Sequence, residues 1–178
     1  MRILGIDPGI NGAGAIYSVD ARAWMVIDLP TVGEGGQRRI NAPALRDWLA
    51  KYAVHRAFLE LAQAMPSIPG ADGVRRGMGS VSSFHYGRTA GAIDAVVACC
   101  NIPITYVTPQ SWKRFYGLKG SDKEQSRAMA IQRFPTLARH LERKLDNNRA
   151  EAALIGFYGA AIAGAVSSMS PLDNSAVG

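Results

Sequence analysis

Three observations predict an α/β fold built on a mixed sheet. Strand-length apolar runs open the chain, separated by turns too short for anything but antiparallel hairpins. Later strand-like runs are separated by helical segments, as parallel crossovers require. Of the 178 residues, 48% are apolar, which provides for one sizeable core and excludes a disordered chain.

Arg2–Asp7 reads as the first strand, an apolar run that ends in one acid and then a Pro8-Gly9 turn. Asn11-Gly12 turns the chain into a second strand, Gly14–Val19, and Asp20-Ala21 into a third, Ala23–Leu29. Gly33 to Arg39 is a flexible basic loop. Asn41 starts a helix with Pro43 in its first turn and an apolar stripe of Leu45, Trp48, Leu49 and Tyr52. Arg56–Ala62 is a fourth strand. Met65 to Gly79, rich in Gly, Pro and Ser and holding Arg75-Arg76, is a long connection of the kind that carries function or motion. A helix follows from about Ser80 to Asn101, then a fifth strand, Ile104–Val107. Beyond Pro109 the chain is helical, broken at Gly117–Gly120 and at Phe134-Pro135. No internal repeat interrupts this order. Residues 1–166 are expected to form one domain and 167–178 a polar tail.

Twenty Lys and Arg against fourteen Asp and Glu give a net charge of +6, which favours a polyanionic partner, nucleic acid first. Cys99 and Cys100 are adjacent in a helical run, so they point to different faces and read as buried reduced thiols. Two such cysteines exclude a Cys-based zinc site of ordinary spacing. The start of the chain runs straight into Asp7 without a signal-peptide pattern. The longest apolar stretch, Ala90 to Cys100, is short for a membrane span and contains Asp94. A soluble, cytoplasmic protein with no membrane partner is expected.

Three acids stand where apolar residues are expected. Asp7 sits at the tip of a strand, where a carboxylate held rigidly suits a divalent cation; a turn-initiating Asp before Pro is the alternative. Glu60 lies in Ala57-Phe58-Leu59-Glu60-Leu61, where it either needs a partner or alternates onto a solvated face. From Glu151, the i+3, i+4 and i+7 positions are Leu154, Ile155 and Tyr158, so it shares the inward face of an apolar helix. It also fits a capping box with Asn148 as N-cap. Clustered carboxylates repel unless a cation neutralises them. Mg²⁺, or Mn²⁺ in its place, on such a cluster in a basic protein points to phosphodiester hydrolysis, two metals about 4 Å apart activating water and stabilising the leaving oxygen. His55, His85 and His140 are scattered, and no Ser-His-Asp or Cys-His constellation competes.

Gly5-Ile6-Asp7-Pro8-Gly9, an acid late in a strand at Glu60, and Arg149-Ala150-Glu151-Ala152 at the start of the last main helix resemble the RuvC family of Holliday-junction resolvases, especially its phage-encoded relatives. The likeness extends to Tyr86-Gly87-Arg88 before Gly91, to Val107-Thr108-Pro109-Gln110-Ser111-Trp112-Lys113, and to Gly117-Leu118-Lys119-Gly120-Ser121-Asp122-Lys123. The resemblance implies a ribonuclease-H-like fold, a mixed five-stranded sheet flanked by helices. It further implies a homodimer that makes paired metal-dependent nicks in a four-way DNA junction. By position Asp7, Glu60 and Glu151 match the family's metal-binding acids, and Lys113 and Lys123 its backbone-binding basic residues. The loop from Met65 to Gly79 stands where the family approaches the junction centre. Candidate DNA contacts are thus Lys113, Lys119, Lys123, Arg75, Arg76 and Arg88.

One position departs from the pattern. The family usually supplies a fourth metal-site Asp or His three or four residues before the last acid, where this chain has Asn148 and Asn147; Asp146 is five back. Either Asp146 reaches the metal, or an amide replaces the fourth ligand and this exact chain is impaired. Trp112, Phe115 and Tyr116 recur at i, i+3 and i+4 and read as core, leaving the interleaved lysines for phosphate. The expected activity is a Mg²⁺-dependent endodeoxyribonuclease acting on branched DNA. The rivals are a flap or RNA–DNA hybrid nuclease and a non-catalytic junction-binding protein of the same fold.

Overall fold

The computed structural model describes residues 1–61, 68–69, 75–76, 79–118 and 122–166. Its centre is a five-stranded sheet of β1 (Arg2–Asp7), β2 (Ala13–Ser18), β3 (Ala23–Asp28), β4 (Arg56–Glu60) and β5 (Ile104–Val107), in the order β3-β2-β1-β4-β5. The two hairpins pair antiparallel, with Asp7 opposite Ala13 and Ala13 opposite Asp28. The β1–β4 and β4–β5 pairs are parallel, with Ile6 beside Leu59 and Glu60 beside Val107. The expected mixed sheet is present: β1 and β5 have the expected bounds, β2 lies one residue earlier, and β3 and β4 end one and two residues sooner, at Asp28 and Glu60.

Strand alternation divides the core into two layers. Leu4, Ile6, Ala57 and Leu59 face Leu45 and Leu49 of α1 (Ala42–Ala50) and Ile93 and Val97 of α2 (Ser80–Cys99). Ile3, Ala15, Tyr17 and Phe58 face the other way, toward α5 (Asn147–Ile162) with Trp112 of α3 (Pro109–Phe115) and Ala130 of α4 (Lys123–Arg133). Asp7 and Glu60 share the parity of Ile3 and Phe58, so the side chains that end β1 and β4 turn to the α5 side.

Gly5 sets how closely α5 approaches. A Cβ there would stand 2.1 Å from the Ala152 carbonyl oxygen and 2.2 Å from the Gly156 nitrogen. Backbone therefore lies on backbone, and α5 is apolar nearly all round in its middle turns, as a helix buried between a sheet and α4 must be. Burial of Leu154 and Ile155 alone contributes roughly 1.5–3 kcal/mol per side chain.

Helix starts follow their polar residues. Asn41 caps α1 by accepting from the Ala44 N–H (3.2 Å), Thr108 caps α3 by accepting from Ser111 (3.2 Å), and Asp122 caps α4 by accepting from Glu124 (2.9 Å). The capping-box alternative for Glu151 is not what forms. Asp146 occupies the N-cap position of α5, without a side-chain capping bond, and Asn148 lies inside the helix.

Two expectations are corrected. The segment from Gly33 to Arg39 is ordered: Thr31–Val32 pairs with Arg39–Ile40 across a 3-10 turn at Gly35–Gln37, and Arg38 anchors it by donating to Ile10 O, Asn11 Oδ1 and Thr31 Oγ1. Cys99 is exposed and Cys100 half-buried, both free thiols. Only a narrow stripe of α2, through Thr89, Ile93 and Val97, is buried in this chain, and the cysteines lie off it. In the long connection, Ile68–Pro69 pairs antiparallel with Arg75–Arg76. The polar tail from 167 lies outside the described residues. Among the described residues, no helix is long and apolar enough to cross a membrane.

Candidate active site

Parallel pairing of β1 and β4 brings Asp7 and Glu60 to one edge of the sheet, and the close seat of α5 lays Glu151 over them. Asp7 is half-buried at the mouth of this edge. Its carboxyl is pushed up to about 8, first by burial and then by the charges of Glu151 and Glu60, with Lys123 and Lys113 pulling the other way. Glu60 is likewise raised by burial; the hydrogen bond from the Trp112 indole opposes this, and Glu151 adds to it. That bond, Trp112 Nε1 to Glu60 Oε2 at 2.7 Å, comes from a fully buried ring and fixes the carboxylate's direction. Glu151 is 6% exposed and accepts from the Ser126 hydroxyl of α4 at 3.2 Å.

Two lysines face this cluster. Lys113 Nζ lies 3.9 Å from Glu151 Oε1 and Lys123 Nζ 3.8 Å from Oε2. Lys123 also donates to Asn148 Oδ1 at 2.7 Å, and Asn148 Nδ2 donates to the Asn11 carbonyl at 2.6 Å. Asn148 is thereby placed one turn before Glu151 on the same face, joined to the turn that follows Asp7. That turn needs its glycine: a Cβ on Gly12 would fall 2.1 Å from the Asp7 carbonyl oxygen.

The sequence-derived candidates thus separate into groups. Asp7, Glu60, Glu151 and Asn148 come together with Lys113 and Lys123. Asn147 opens α5, half-buried, one residue before Asn148. Asp146 is turned elsewhere. Its Oδ1 accepts from Arg143 Nη2 at 2.7 Å and lies 3.5 Å from Arg149 Nη1, while its Oδ2 accepts from the Arg143 backbone at 2.8 Å. Burial raises its carboxyl, but these bonds outweigh it and hold it below the ordinary carboxylate range. The same arginines grip Asp28 at the end of β3, two strand widths, or roughly 10 Å, across the sheet from Asp7. Asp146 therefore locks the entry to α5. Arg88 is exposed on α2. For Arg75 and Arg76 only the backbone pairing is described, and Lys119 lies outside the described residues.

Trp112 is buried as expected, with Phe115 and Tyr116 packed against the same layer. Its second role, as donor to Glu60, was legible only as the apolar spacing that buries it. Ser126 carried no signal of its own, and Tyr86 only its place in the Tyr86-Gly87-Arg88 run of the resemblance. Tyr86 stands near the acids, its hydroxyl pushed up to about 12 first by burial and then by the charges of Glu60 and Asp7.

The donor set, three carboxylates and an amide oxygen, has the hard-oxygen chemistry of Mg²⁺. As placed, no three acid, imidazole or thiol side chains among the described residues are gathered closely enough to hold an ion. The charge that Asp7 and Glu60 resist is met only in part, by the two ammonium groups.

No family model matches the sequence, and no curated protein matches it. Solved structures do match in fold. The chain superposes on Thermus thermophilus RuvC in complex with a Holliday-junction substrate with a TM-score of 0.62 at 16% identity, covering 97% of this chain and 99% of that one. A second T. thermophilus RuvC structure gives 0.54 at 16%, over 94% and 98% of the two chains. The fowlpox virus Holliday junction resolvase gives 0.50 at 16%, over 88% and 96%. At this identity the likeness establishes the fold: the mixed five-stranded sheet flanked by helices is the ribonuclease-H-like sheet of RuvC.

Proposed function

We propose that the protein is a structure-selective DNA endonuclease that resolves four-way junctions by Mg²⁺-dependent hydrolysis, placing paired nicks as a homodimer. The observation that carries this reading is the convergence of Asp7, Glu60 and Glu151, from three elements far apart in sequence, at one sheet edge under two lysines. Its support is the fold shared with two resolvases over nearly the whole chain.

Asp7, Glu60 and Glu151 would hold the cation, with Asn148 as the fourth donor through its amide oxygen. When bound, Mg²⁺ activates water and stabilises the leaving oxygen. The chain's own residues do the rest. Trp112 holds Glu60 in one orientation, and Ser126 does the same for Glu151, so that little reorganisation is needed at the reacting phosphate. Lys113 and Lys123, 3.9 and 3.8 Å from Glu151, would attract the DNA backbone and stabilise charge developing on the phosphate. The net charge of +6 favours approach of a polyanion, and Lys113 and Lys123 supply positive charge beside the acids.

The small-residue face of α2 away from the sheet, from Ala90 to Cys100, is the proposed dimer surface. Symmetric cutting needs two sites related by a two-fold axis, and small residues allow close helix approach. Incubation of labelled four-way junctions, flaps and RNA–DNA hybrids with Mg²⁺ tests the reading. Paired nicks confined to the junction support it, and no cleavage of any DNA overturns it. A second reading rests on Asn148: with an amide in place of a charged ligand, the chain binds junctions without cutting them, and intact but retarded junctions would establish that.

A further inference from the structure

We propose that the cavity beside the acidic cluster, between the turn after β1, the 3-10 turn at Gly35–Gln37 and the first half of α2, is a nucleobase pocket that takes a base flanking the cleaved phosphate and so selects which sequences are cut. This rests on the nuclease reading above. The cavity measures about 370 Å³ and is walled by Ile10, Gly36, Arg38, His85, Tyr86 and Thr89. That volume lies at the small end of small-molecule sites and suits a heterocycle with part of its sugar.

Its position is tied to the cluster by two hydrogen bonds on one residue. Asn11 Oδ1 accepts from Arg38 Nη1 at 3.0 Å, and the Asn11 carbonyl accepts from Asn148 Nδ2 at 2.6 Å. The wall of the cavity and the fourth donor of the acidic site are therefore fixed to the same turn. Tyr86 closes the distance from the other side: it lines the cavity and feels the charges of Glu60 and Asp7. With the cavity wall and the acidic site joined through Asn11, a strand whose phosphate lies at the acids would carry a neighbouring nucleotide toward this mouth.

The walls name the chemistry. Among the described residues the lining holds no carboxylate, which gives a cation little to bind there. The Arg38 guanidinium is held by Ile10 O at 3.2 Å, Thr31 Oγ1 at 3.3 Å and Asn11 Oδ1, which makes it a fixed plane rather than a mobile phosphate-seeking charge. The Thr89 hydroxyl is turned away, donating to the His85 carbonyl at 2.8 Å. What remains is flat and mostly apolar: an imidazole, a phenol kept protonated, an isoleucine and bare glycine backbone. A Cβ on Gly36 would meet no protein atom within 4 Å, so packing inside the chain does not require glycine there. Such walls accept a planar neutral ring by stacking, with Arg38 and Tyr86 as donors to its edge.

The test is cleavage of junctions carrying an abasic sugar, one position at a time, on either side of the cut, with Mg²⁺ and the full chain. One flanking position should slow cleavage about ten-fold when its base is removed, the scale of one lost stacking contact. At that position His85→Ala, and Ser82→Phe at the exposed rim, should be nearly indifferent to the missing base and should flatten the sequence preference read from a randomised junction library. The substrate-side measurement stands even where a variant fails to fold. Cleavage equally fast at every abasic position, or variants with an unchanged preference, would overturn the pocket and leave the nuclease reading intact. Absence of any DNA cleavage would overturn the nuclease reading, and the pocket with it.

Discussion

Asp7→Asn separates a functional acid from a structural one through the pH dependence of stability. In the folded chain the Asp7 carboxyl is pushed from 3.8 up to about 8 by burial and by Glu151 and Glu60. Between these values the folded state keeps a proton that the unfolded chain has lost, so the stability Asp7 allows is full at low pH and falls as pH rises toward about 8. At about 1.4 kcal/mol per unit the whole shift corresponds to no more than about 6 kcal/mol, and solvent access at the half-buried carboxylate reduces the expected cost to about 2 kcal/mol. Asparagine carries no charge at any pH. In chelator at about pH 8, Asp7→Asn should therefore melt roughly 4–8 °C above the native chain, a difference that vanishes near pH 4. Mg²⁺ should reverse the order. Binding at a hundred-fold excess over Kd stabilises the native chain by about 2.7 kcal/mol and leaves the variant unmoved. Junction cleavage should be lost in the variant while junction binding is kept, because phosphate contacts dominate affinity. Thermal melts across pH, with and without Mg²⁺, and gel-shift titrations read all three effects. A variant less stable than the native chain at pH 8 in chelator, with junction binding lost as well, would show Asp7 to be structural and refute the reasoning.

Trp112→Phe removes the 2.7 Å hydrogen bond to Glu60 and should raise the Mg²⁺ concentration for half-maximal cleavage about ten-fold; unchanged metal dependence in a folded variant would deny Trp112 that positioning role. Lys113→Ala and Lys123→Ala should each weaken junction binding whatever the sequence and lower the slope of log affinity against log salt by roughly one, read from titrations at several salt concentrations. Asn148→Asp should raise cleavage at low Mg²⁺ by adding a charged donor beside Glu151. Asp146→Ala should cost about 2 kcal/mol in thermal or urea unfolding, because Arg143 and Arg149 lose a shared buried carboxylate while keeping Asp28, and should leave the metal requirement alone. Sedimentation at micromolar protein should show a dimer, and a strict monomer that still resolves junctions would remove the proposed α2 surface.

Local chemistry made much of this protein legible without its structure. Hairpin turns at Asn11-Gly12 and Asp20-Ala21, helical periodicity and N-cap residues fix elements through contacts a few residues apart, so strands and helices emerge within a residue or two. Asp7, Glu60 and Glu151 stood out because a charge in an apolar run is costly unless something meets it. Which acid joins which partner was decided only in three dimensions. Asp146 and Asn148 are two residues apart, yet one is captured by Arg143 and Arg149 at the end of β3 and the other faces Lys123 and the turn after β1. Sequence spacing cannot rank these, because both sit at the same helix start and the arginines' reach depends on how far β3 lies from β1. The exposure of Cys99 has the same origin: its apolar helical run read as burying both cysteines, whereas a single stripe of α2 meets the sheet. Trp112 was readable as core, but its bond to Glu60 spans 52 residues and exists because β4 ends, and α3 begins, at the same end of the sheet. The sequence carried the identities of the charged groups, and the tertiary structure, through strand parity and the contact of Gly5 with α5, decided which of them share a site.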